Sequence, residues 1–416
     1  MSYETMPTGA ANMSPLASAP STPAPASARI ILALLDKLRH GALTLHTPDG
    51  AVRHFGDSQA GSVLPVVLEL KNWKLFAKAL SAGDIGFAES YIDGDWSTTD
   101  LPALIELMAR NRDTIENLVY GSWWGSLAYR LRHLLNRNSK AGSRKNIHAH
   151  YDIGNAFYRL WLDPSMTYSS ALYTAAAGAD LEQAQAAKYR RILDQLQLAP
   201  GARVLEIGCG WGGFAEMAAR GGAAEVVGLT LSTEQLAYAQ ARIARAGLNE
   251  HVDLQLCDYR DSTGQYDAVA SIEMFEAVGE SYWPSYFATI AARLKPGGRA
   301  CIQTITIADG LFERYRKSTD FIQQFIFPGG MLPSPAVFEQ QAALHGLKVV
   351  DKFGFGLDYA RTLAAWRVKF HAALDQVRAQ GFDERFIRTW EFYLCYCEAA
   401  FRAKNTDVMH FTLVKA

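Results

Sequence analysis

No apolar run in this chain approaches the roughly 18 to 20 residues needed to cross a bilayer as a helix, so any hold on a membrane is expected to be peripheral. Cysteine is sparse. The five at Cys209, Cys257, Cys301, Cys395 and Cys397 form neither a C-x-x-C pair nor a disulfide framework, which points to a reducing compartment, the cytoplasm. An excess of charge of either sign is missing too: 41 Lys and Arg against 42 Asp and Glu leave a formal charge of -1, which argues against a general nucleic-acid binder. Residues 1–28 are short of large apolar side chains and dominated by Pro, Ala, Ser and Thr, a composition that cannot bury enough surface to offset the entropy of ordering. A disordered leader is expected there, without the basic start and apolar centre of a signal peptide.

What the chain does have is apolar content, 49% of 416 residues, enough for a large core and more than one domain. From Arg29, Ile31, Leu34, Leu35 and Leu38 mark a helix; Ala42 to Phe55 and Val63 to Leu70 read as strands interrupted by Pro48-Asp49-Gly50 and Gly61. Trp73 to Ala82, Gly86 to Tyr91 and Leu101 to Asn111 read as helices, giving a small N-terminal α+β domain over 29–112. In the linker 113–145, Tyr120, Trp123, Trp124, Leu127, Leu131 and Leu134 recur at three- and four-residue steps, with Arg130, His133 and Arg137 on other faces. Either the linker helix packs on the core or it lies on an anionic lipid surface, and Lys140, Arg144 and Lys145 continue its basic character. Residues 146–416 then carry the chemistry.

The strongest local signal is Val204-Leu205-Glu206-Ile207-Gly208-Cys209-Gly210-Trp211-Gly212, a strand turning through alternating glycines into the helical pattern Phe214 to Arg220. Glycines remove the Cβ atoms that would block close approach, so a nucleotide-sized ligand can sit against the loop and the following helix N-terminus. Further strands at Glu225–Leu229, Tyr266–Ser271 and Arg299–Thr306 complete a βαβ rhythm, with Asp258-Tyr259-Arg260 between. A dinucleotide fold favours G-x-G-x-x-G under a pyrophosphate; the G-x-G-x-G spacing here, with Trp211 inserted, fits S-adenosylmethionine (SAM). After the second strand Thr230, Ser232 and Gln235 stand where an acidic residue commonly binds ribose hydroxyls. His148 and His150 have no nearby cysteine or carboxylate partners, so no metal site is expected. Residues 309–346, including Ile326-Phe327-Pro328-Gly329-Gly330-Met331-Leu332-Pro333-Ser334, read as an apolar insertion over the sheet's C-terminal edge, a lid or acyl-binding segment.

From about residue 30 onward the chain resembles the cyclopropane fatty acid synthases and their mycolic acid relatives. The likeness rests on His150-Tyr151-Asp152-Ile153-Gly154-Asn155, Met166-Thr167-Tyr168-Ser169, the glycine loop, Thr230-Leu231-Ser232-Thr233-Glu234-Gln235, Phe275-Glu276-Ala277-Val278-Gly279, Phe325-Ile326-Phe327-Pro328-Gly329-Gly330, Asp358-Tyr359 and Ala399-Ala400-Phe401-Arg402. The resemblance implies a Rossmann-like class I methyltransferase sheet with helices on both faces, and an enzyme that methylates unsaturated acyl chains of phospholipids from SAM. It implies a cytoplasmic homodimer resting on the inner membrane surface; a separate reductase acting on the product stays open as a partner. By the same resemblance Tyr168, Ser169, Glu206, Gly208, Cys209, Gly210, Gly212, Thr230, Leu231, Ser232, Gln235, Asp258, Tyr259 and Arg260 hold the cofactor.

In that family the alkene attacks the sulfonium methyl, and the resulting carbocation loses a proton to close a cyclopropane ring. Electron-rich groups should surround the cation, with Phe275, Phe355, Tyr359 and Tyr393 as candidates. The proton acceptor is a bicarbonate ion, whose holders match Ser170, Glu276, Gln303, Tyr359 and Ile305 here. Serine replaces the family's cysteine and glutamine its histidine; both can still donate hydrogen bonds to an anion. Glu273 stands where the family typically has glycine. It either pairs with an arginine or backbone amide, or shares a site with Glu276 and becomes a base. As base it could take a proton from a neighbouring chain carbon, leaving a methylene or methyl-branched chain. Cys397 matches a cysteine of the family pattern in an apolar setting that suits an inert thiol. Two other readings are a methyltransferase with a soluble acceptor and a non-catalytic lipid-binding protein of the same fold.

Overall fold

The computed structural model describes residues 24–57, 65–113 and 153–416, except residues 177, 179 and 224. The leader up to residue 23, the linker helix expected at 119–137, and His148, His150, Tyr151 and Asp152 lie outside the described residues.

The N-terminal unit opens with α1 (Ala26–Leu35), which starts inside the stretch that composition assigned to the leader and buries Ala28 completely. Strands β1 (Ala42–His46), β2 (Val52–Gly56), β3 (Val66–Leu70) and β4 (Trp96–Ser97) form a sheet ordered β2-β1-β3-β4. The turn at Pro48-Asp49-Gly50 makes β1 and β2 an antiparallel hairpin, while β3 returns parallel to β1. The helices expected at 73–82 and 86–91 are one element, α2 (Lys74–Ile92), broken at Gly83 where φ is 61°. Helix α3 (Leu101–Arg110) is started by Asp100, whose carboxylate accepts from the Ala103 amide at 3.0 Å, and by Pro102 in its first turn.

The second sheet has seven strands in the order β10-β11-β9-β8-β5-β6-β7. Its elements run α4 (Leu181–Leu196), β5 (Arg203–Ile207), α5 (Gly213–Arg220), β6 (Glu225–Thr230), α6 (Thr233–Arg245), β7 (Val252–Leu256), β8 (Tyr266–Ile272), α7 (Trp283–Arg293) and β9 (Leu294–Ile307). They continue with α8 (Asp309–Tyr315), α9 (Pro335–Ala343), β10 (Leu347–Gly354), α10 (Gly356–Ala372), α11 (Glu384–Arg402) and β11 (Thr406–Lys415). Strands β5 to β9 pair in parallel, and β11 slots antiparallel between β9 and β10. Strand order reverses between β5 and β8, the switch point where an open sheet leaves a crevice at its carboxyl edge. Helices cover both faces: Ile192, Phe214 and Ile243 bury one side, Trp283, Phe287, Ile290 and Phe338 the other. Lys295–Gly298 forms a bulge inside β9, because Leu294 pairs with Tyr266 and Arg299 with Ala268.

The 309–346 insertion divides. Its last part, α9, is an ordinary layer helix, with Phe338 fully buried and its ring stacked on Phe411 of β11 at 4.1 Å. Only the stretch before it, containing α8 and a π-helical turn at Ile322–Ile326, stands over the sheet's carboxyl edge. Among the described residues, the N-terminal unit shares its core with the second domain. Trp96, Leu104, Phe392, Trp390 and Phe321 belong to one continuous cluster, Tyr91 donates to Glu391 of α11 at 2.7 Å, and Asp84 accepts from the Tyr396 hydroxyl (2.8 Å) and the Phe321 amide (3.3 Å).

Candidate active site

A cavity of about 310 Å³ lies at the carboxyl edge, open to the glycine loop on one side and to the insertion on the other. Glu206, Gly208, Cys209 and Gly210 from the β5 end line it, with Thr230, Leu231 and Gln235 after β6 and Asp258, Tyr259 and Arg260 after β7. Tyr168 and Ser169 enter from the segment before α4. Gly210 has φ 51°, and a Cβ built on it would meet nothing within 4 Å, so its backbone faces open cavity. Asp258 is held by Arg260 through the amide (3.0 Å) and the guanidinium (2.8 and 2.6 Å). Glu206 is 2% exposed, and loss of water pushes its carboxyl up to about 8 despite the Ala215 amide and the nearby Arg242 and Lys188 charges.

Two of the residues assigned to the cofactor stand outside the lining. Gly212 serves packing: its Cβ would lie 3.1 Å from the Ala239 Cβ, so its absence lets α5 and α6 approach. Ser232 caps α6, its hydroxyl accepting from the Gln235 amide at 3.2 Å. Neither role is visible in a motif, which records spacing but not which helix will pass behind the loop.

The opposite part of the cavity is lined by Phe327, Pro328, Met331 and Leu332 of the insertion and by Tyr359, Tyr393 and Phe401 of α10 and α11. Tyr168 and Tyr393 share a hydroxyl hydrogen bond of 2.7 Å. Of the four aromatic candidates, Tyr359 and Tyr393 reach the cavity and the other two do not. Phe275 is buried under the sheet, stacked on Trp283 at 5.5 Å, and Phe355 packs on Phe353 and His410. The first follows a strand end and the second precedes a helix, and in both cases the backbone turns the ring into the apolar layer. Cys397 lines the cavity, and burial pushes its thiol far above the ordinary range, so it is no thiolate.

Two carboxylates meet at the switch point. Glu273, just beyond β8, has φ 48°, a left-handed conformation costing a non-glycine residue about 1–2 kcal/mol. Its Oε1 accepts from the Ser170 amide (2.8 Å) and Gln303 Nε2 (2.7 Å), and its Oε2 from the Tyr359 hydroxyl (2.6 Å). Burial raises its pKa; Tyr359, the Lys188 charge, Ser170 and Gln303 oppose the rise. The Ser170 hydroxyl donates instead to the Ala171 carbonyl at 3.0 Å. Glu276 Oε1 accepts from Thr304 Oγ1 (3.0 Å) and the Ile305 amide (2.5 Å), while its buried Oε2 has no hydrogen-bond partner. Burial first, then the neighbouring Glu273 charge, pushes Glu276 up to about 8, which favours its protonated form.

Two residues of the site escaped the sequence. Lys188 on α4 is fully buried, donates to Ser169 Oγ at 2.5 Å, and is pushed down to about 7 by burial despite the Glu273, Asp163 and Glu206 carboxylates. His410 on β11 is also fully buried, and its Nε2 lies 2.8 Å from Gln303 Oε1. Among the described residues no cluster of three or more potential ligands could hold a metal ion.

Comparison with known proteins points to one group. Residues 138–411 match the family described as mycolic acid cyclopropane synthetase. The chain belongs to that family. A tuberculostearic acid methyltransferase of Mycobacterium tuberculosis is 40% identical over 342 residues, 80% of this chain and 79% of that protein. A cyclopropane-fatty-acyl-phospholipid synthase of Escherichia coli is 38% identical over 349 residues, 83% of this chain and 86% of that one. Among solved structures, a cyclopropane synthase from Mycobacterium tuberculosis shares 32% identity and a TM-score of 0.61, over 65% of this chain and 98% of its own. A mycolic acid cyclopropane synthase solved with SAH and CTAB has the same identity, TM-score and coverage. A coclaurine N-methyltransferase, 17% identical with a TM-score of 0.59, shares the fold alone. The chain is a SAM-dependent methyltransferase of this family, on the class I sheet that its sequence led us to expect.

Proposed function

We propose that this enzyme transfers the methyl group of SAM to a double bond in an unsaturated acyl chain of a membrane phospholipid. The supporting observation is that one cavity is lined both by the glycine loop and by the apolar insertion, with Glu273, Glu276 and Tyr359 in the same lining. The open face at Gly210 fits the cofactor, which Gly208, Gly210, Thr230, Gln235 and Asp258 would hold. When bound, SAM supplies an electrophilic methyl group.

An alkene is a weak nucleophile, so the protein's part is to hold it close and dry. Phe327, Met331 and Leu332 offer an apolar surface to the acyl chain, and Tyr359, Tyr393 and Phe401 offer π-faces and hydroxyl dipoles to positive charge developing on it. Glu273 is the carboxylate beside that charge and receives the proton; Glu276 is held by the Thr304 hydroxyl and the Ile305 amide of β9. Loss of a proton from the new methyl group closes a cyclopropane or, after a 1,2-hydride shift, leaves a methylene, whereas loss from a neighbouring chain carbon leaves a methyl-substituted alkene.

Lipid mass spectrometry with a labelled methyl donor, after expression in a host lacking modified acyl chains, tests the assignment. Label in phospholipid acyl chains supports it, whereas label confined to soluble compounds refutes it. Comparing the parent with Glu273→Gln and Gln303→His reads the product ratio; a parent making only cyclopropane, unchanged in Glu273→Gln, removes Glu273 from the proton step. No helix among the described residues is long and apolar enough to cross a membrane. Access to lipid then depends on surface attachment from the cytoplasmic side, which liposome sedimentation of the parent and of Trp123→Ala with Trp124→Ala checks. A homodimer, measured by light scattering, completes the reading.

A further inference from the structure

The resemblance brought with it a bicarbonate ion as proton acceptor, held at the positions of Ser170, Glu276, Gln303, Ile305 and Tyr359. In this chain those donors are already engaged by the protein itself. The Ser170 amide, Gln303 Nε2 and the Tyr359 hydroxyl all bind the Glu273 carboxylate, and the Ile305 amide binds Glu276. A second anion entering there would have to displace three hydrogen bonds from the Glu273 carboxylate and share its confined place, where like charges repel strongly. The free ion does not fit.

We infer that the side chain of Glu273 occupies the family's anion cradle as a built-in base, that the reaction needs no bicarbonate, and that His410 is the positioning residue that orients Gln303 toward it. The inference rests on the function proposed above. Three independent features of the structure converge on it. Glu273 accepts a left-handed backbone that glycine would adopt without strain, and its amide is pinned to the Gln303 carbonyl at 2.8 Å. Its two oxygens take three donors, the geometry of a bound carboxylate. Finally, Gln303 faces His410 across the β9–β11 pairing, with His410 Nε2 on Gln303 Oε1.

The last contact fixes the amide. Burial and the Arg191 and Lys188 charges keep the imidazole neutral, so it carries one ring N–H. His410 Nδ1 has no partner, which places the hydrogen on Nε2, donating to Gln303 Oε1. The Gln303 NH2 group is thereby turned to Glu273; flipped, the amide would set an oxygen against the carboxylate.

The chemistry balances without another reactant. As the alkene π-pair forms the new C–CH3 bond, the sulfonium leaves as a neutral sulfide and the positive charge passes to the acyl chain. A C–H electron pair then stays on that chain, closing the ring or making a new double bond, and its proton bonds to a Glu273 oxygen. Sulfonium and carboxylate charges are both consumed, and water takes the proton after product leaves.

The test uses the whole protein with SAM and vesicles of an unsaturated phosphatidylethanolamine, in buffer stripped of carbon dioxide and with bicarbonate restored. Binding is read separately from the carbon line width of isotopically labelled bicarbonate. The parent should turn over equally in both buffers and leave the line sharp. Glu273→Gly, whose backbone suits glycine, should lose turnover in stripped buffer, regain part of it with bicarbonate, and broaden the line. A parent that broadens the line or slows on stripping overturns the inference, as does a glycine variant at full rate without bicarbonate. A parent inactive in both buffers refutes the proposed function, while its line width still decides whether the cradle is filled. For His410, Gln at that position can present an N–H to Gln303, so His410→Gln should keep the parent's kcat and product ratio while His410→Leu lowers kcat with KM unchanged. Equal behaviour of the two variants would remove His410 from the arrangement.

Discussion

Replacing Tyr359 by phenylalanine deletes a single oxygen. The ring contacts survive, since they are a stack on Phe401 at 4.6 Å and an edge contact to Trp366 at 6.1 Å, neither of which uses the hydroxyl. What is lost is the 2.6 Å hydrogen bond to Glu273 Oε2, which then has no donor, while Oε1 keeps Ser170 and Gln303. A hydrogen bond to a charged group contributes about 1.5–3 kcal/mol net, and every 1.4 kcal/mol is tenfold. Burial raises the Glu273 pKa, and the Tyr359 bond is the largest effect holding it down. Without it the carboxylate protonates more readily, and the acid limb of the pH–rate profile moves to higher pH. On that limb the rate should fall roughly ten- to hundredfold, the loss shrinking as pH rises. The assay is methyl transfer to phospholipid vesicles across a pH series, with thermal unfolding to confirm that the variant is folded. A variant with the parent's acid limb and rate would refute the assignment of Glu273 as base.

Gly210→Val should abolish SAM binding in calorimetry while the fold persists, because the new side chain enters open cavity; the left-handed backbone costs the variant about 1–2 kcal/mol of stability. Equal affinity would move the cofactor elsewhere. Glu276→Gln should alter the dependence of stability on pH. A carboxyl raised from 4.5 to about 8 by burial stabilises the fold fully below pH 4.5 and loses that contribution as pH rises through about 8. Unfolding midpoints of the parent should therefore decline over that interval relative to the variant, and parallel curves would show Glu276 ionised in the native state. Phe338→Ala, removing a fully buried ring stacked on Phe411, should cost about 3–5 kcal/mol in urea unfolding. A loss below about 1 kcal/mol would mean that α9 is not part of the layer.

Much of the architecture was legible because it is local. Alternating glycines after an apolar strand and strands spaced for helical crossovers each depend on neighbours in the chain. The glycine loop and Asp258-Tyr259-Arg260 were found this way and, Gly212 apart, reach the cavity, while Glu276, found through the family resemblance, lines it too. Glu273 and Gln303 stood out as departures from a family pattern, but not as partners. Lys188 passes for a solvated helix residue amid Gln183, Gln185 and Arg190, and nothing in that neighbourhood announces its complete burial. His410 belongs to no motif.

The sequence by itself determined the class of fold, the cofactor loop and the chemical types available at the switch point. Periods of two and of three to four residues specify which face of an element is apolar, and glycine spacing specifies where a backbone can be approached. Only the tertiary structure decided which of those residues touch. The last strand inserts between β9 and β10, placing His410 opposite a glutamine 107 residues earlier in the chain. It likewise closed α10 over the β8 end, so that Tyr359 meets Glu273. A strand's period fixes the side it presents but not its neighbour in the sheet. That pairing is set by the packing of the whole domain, and on it rests the difference between a cradle for a free anion and one filled by the protein's own carboxylate.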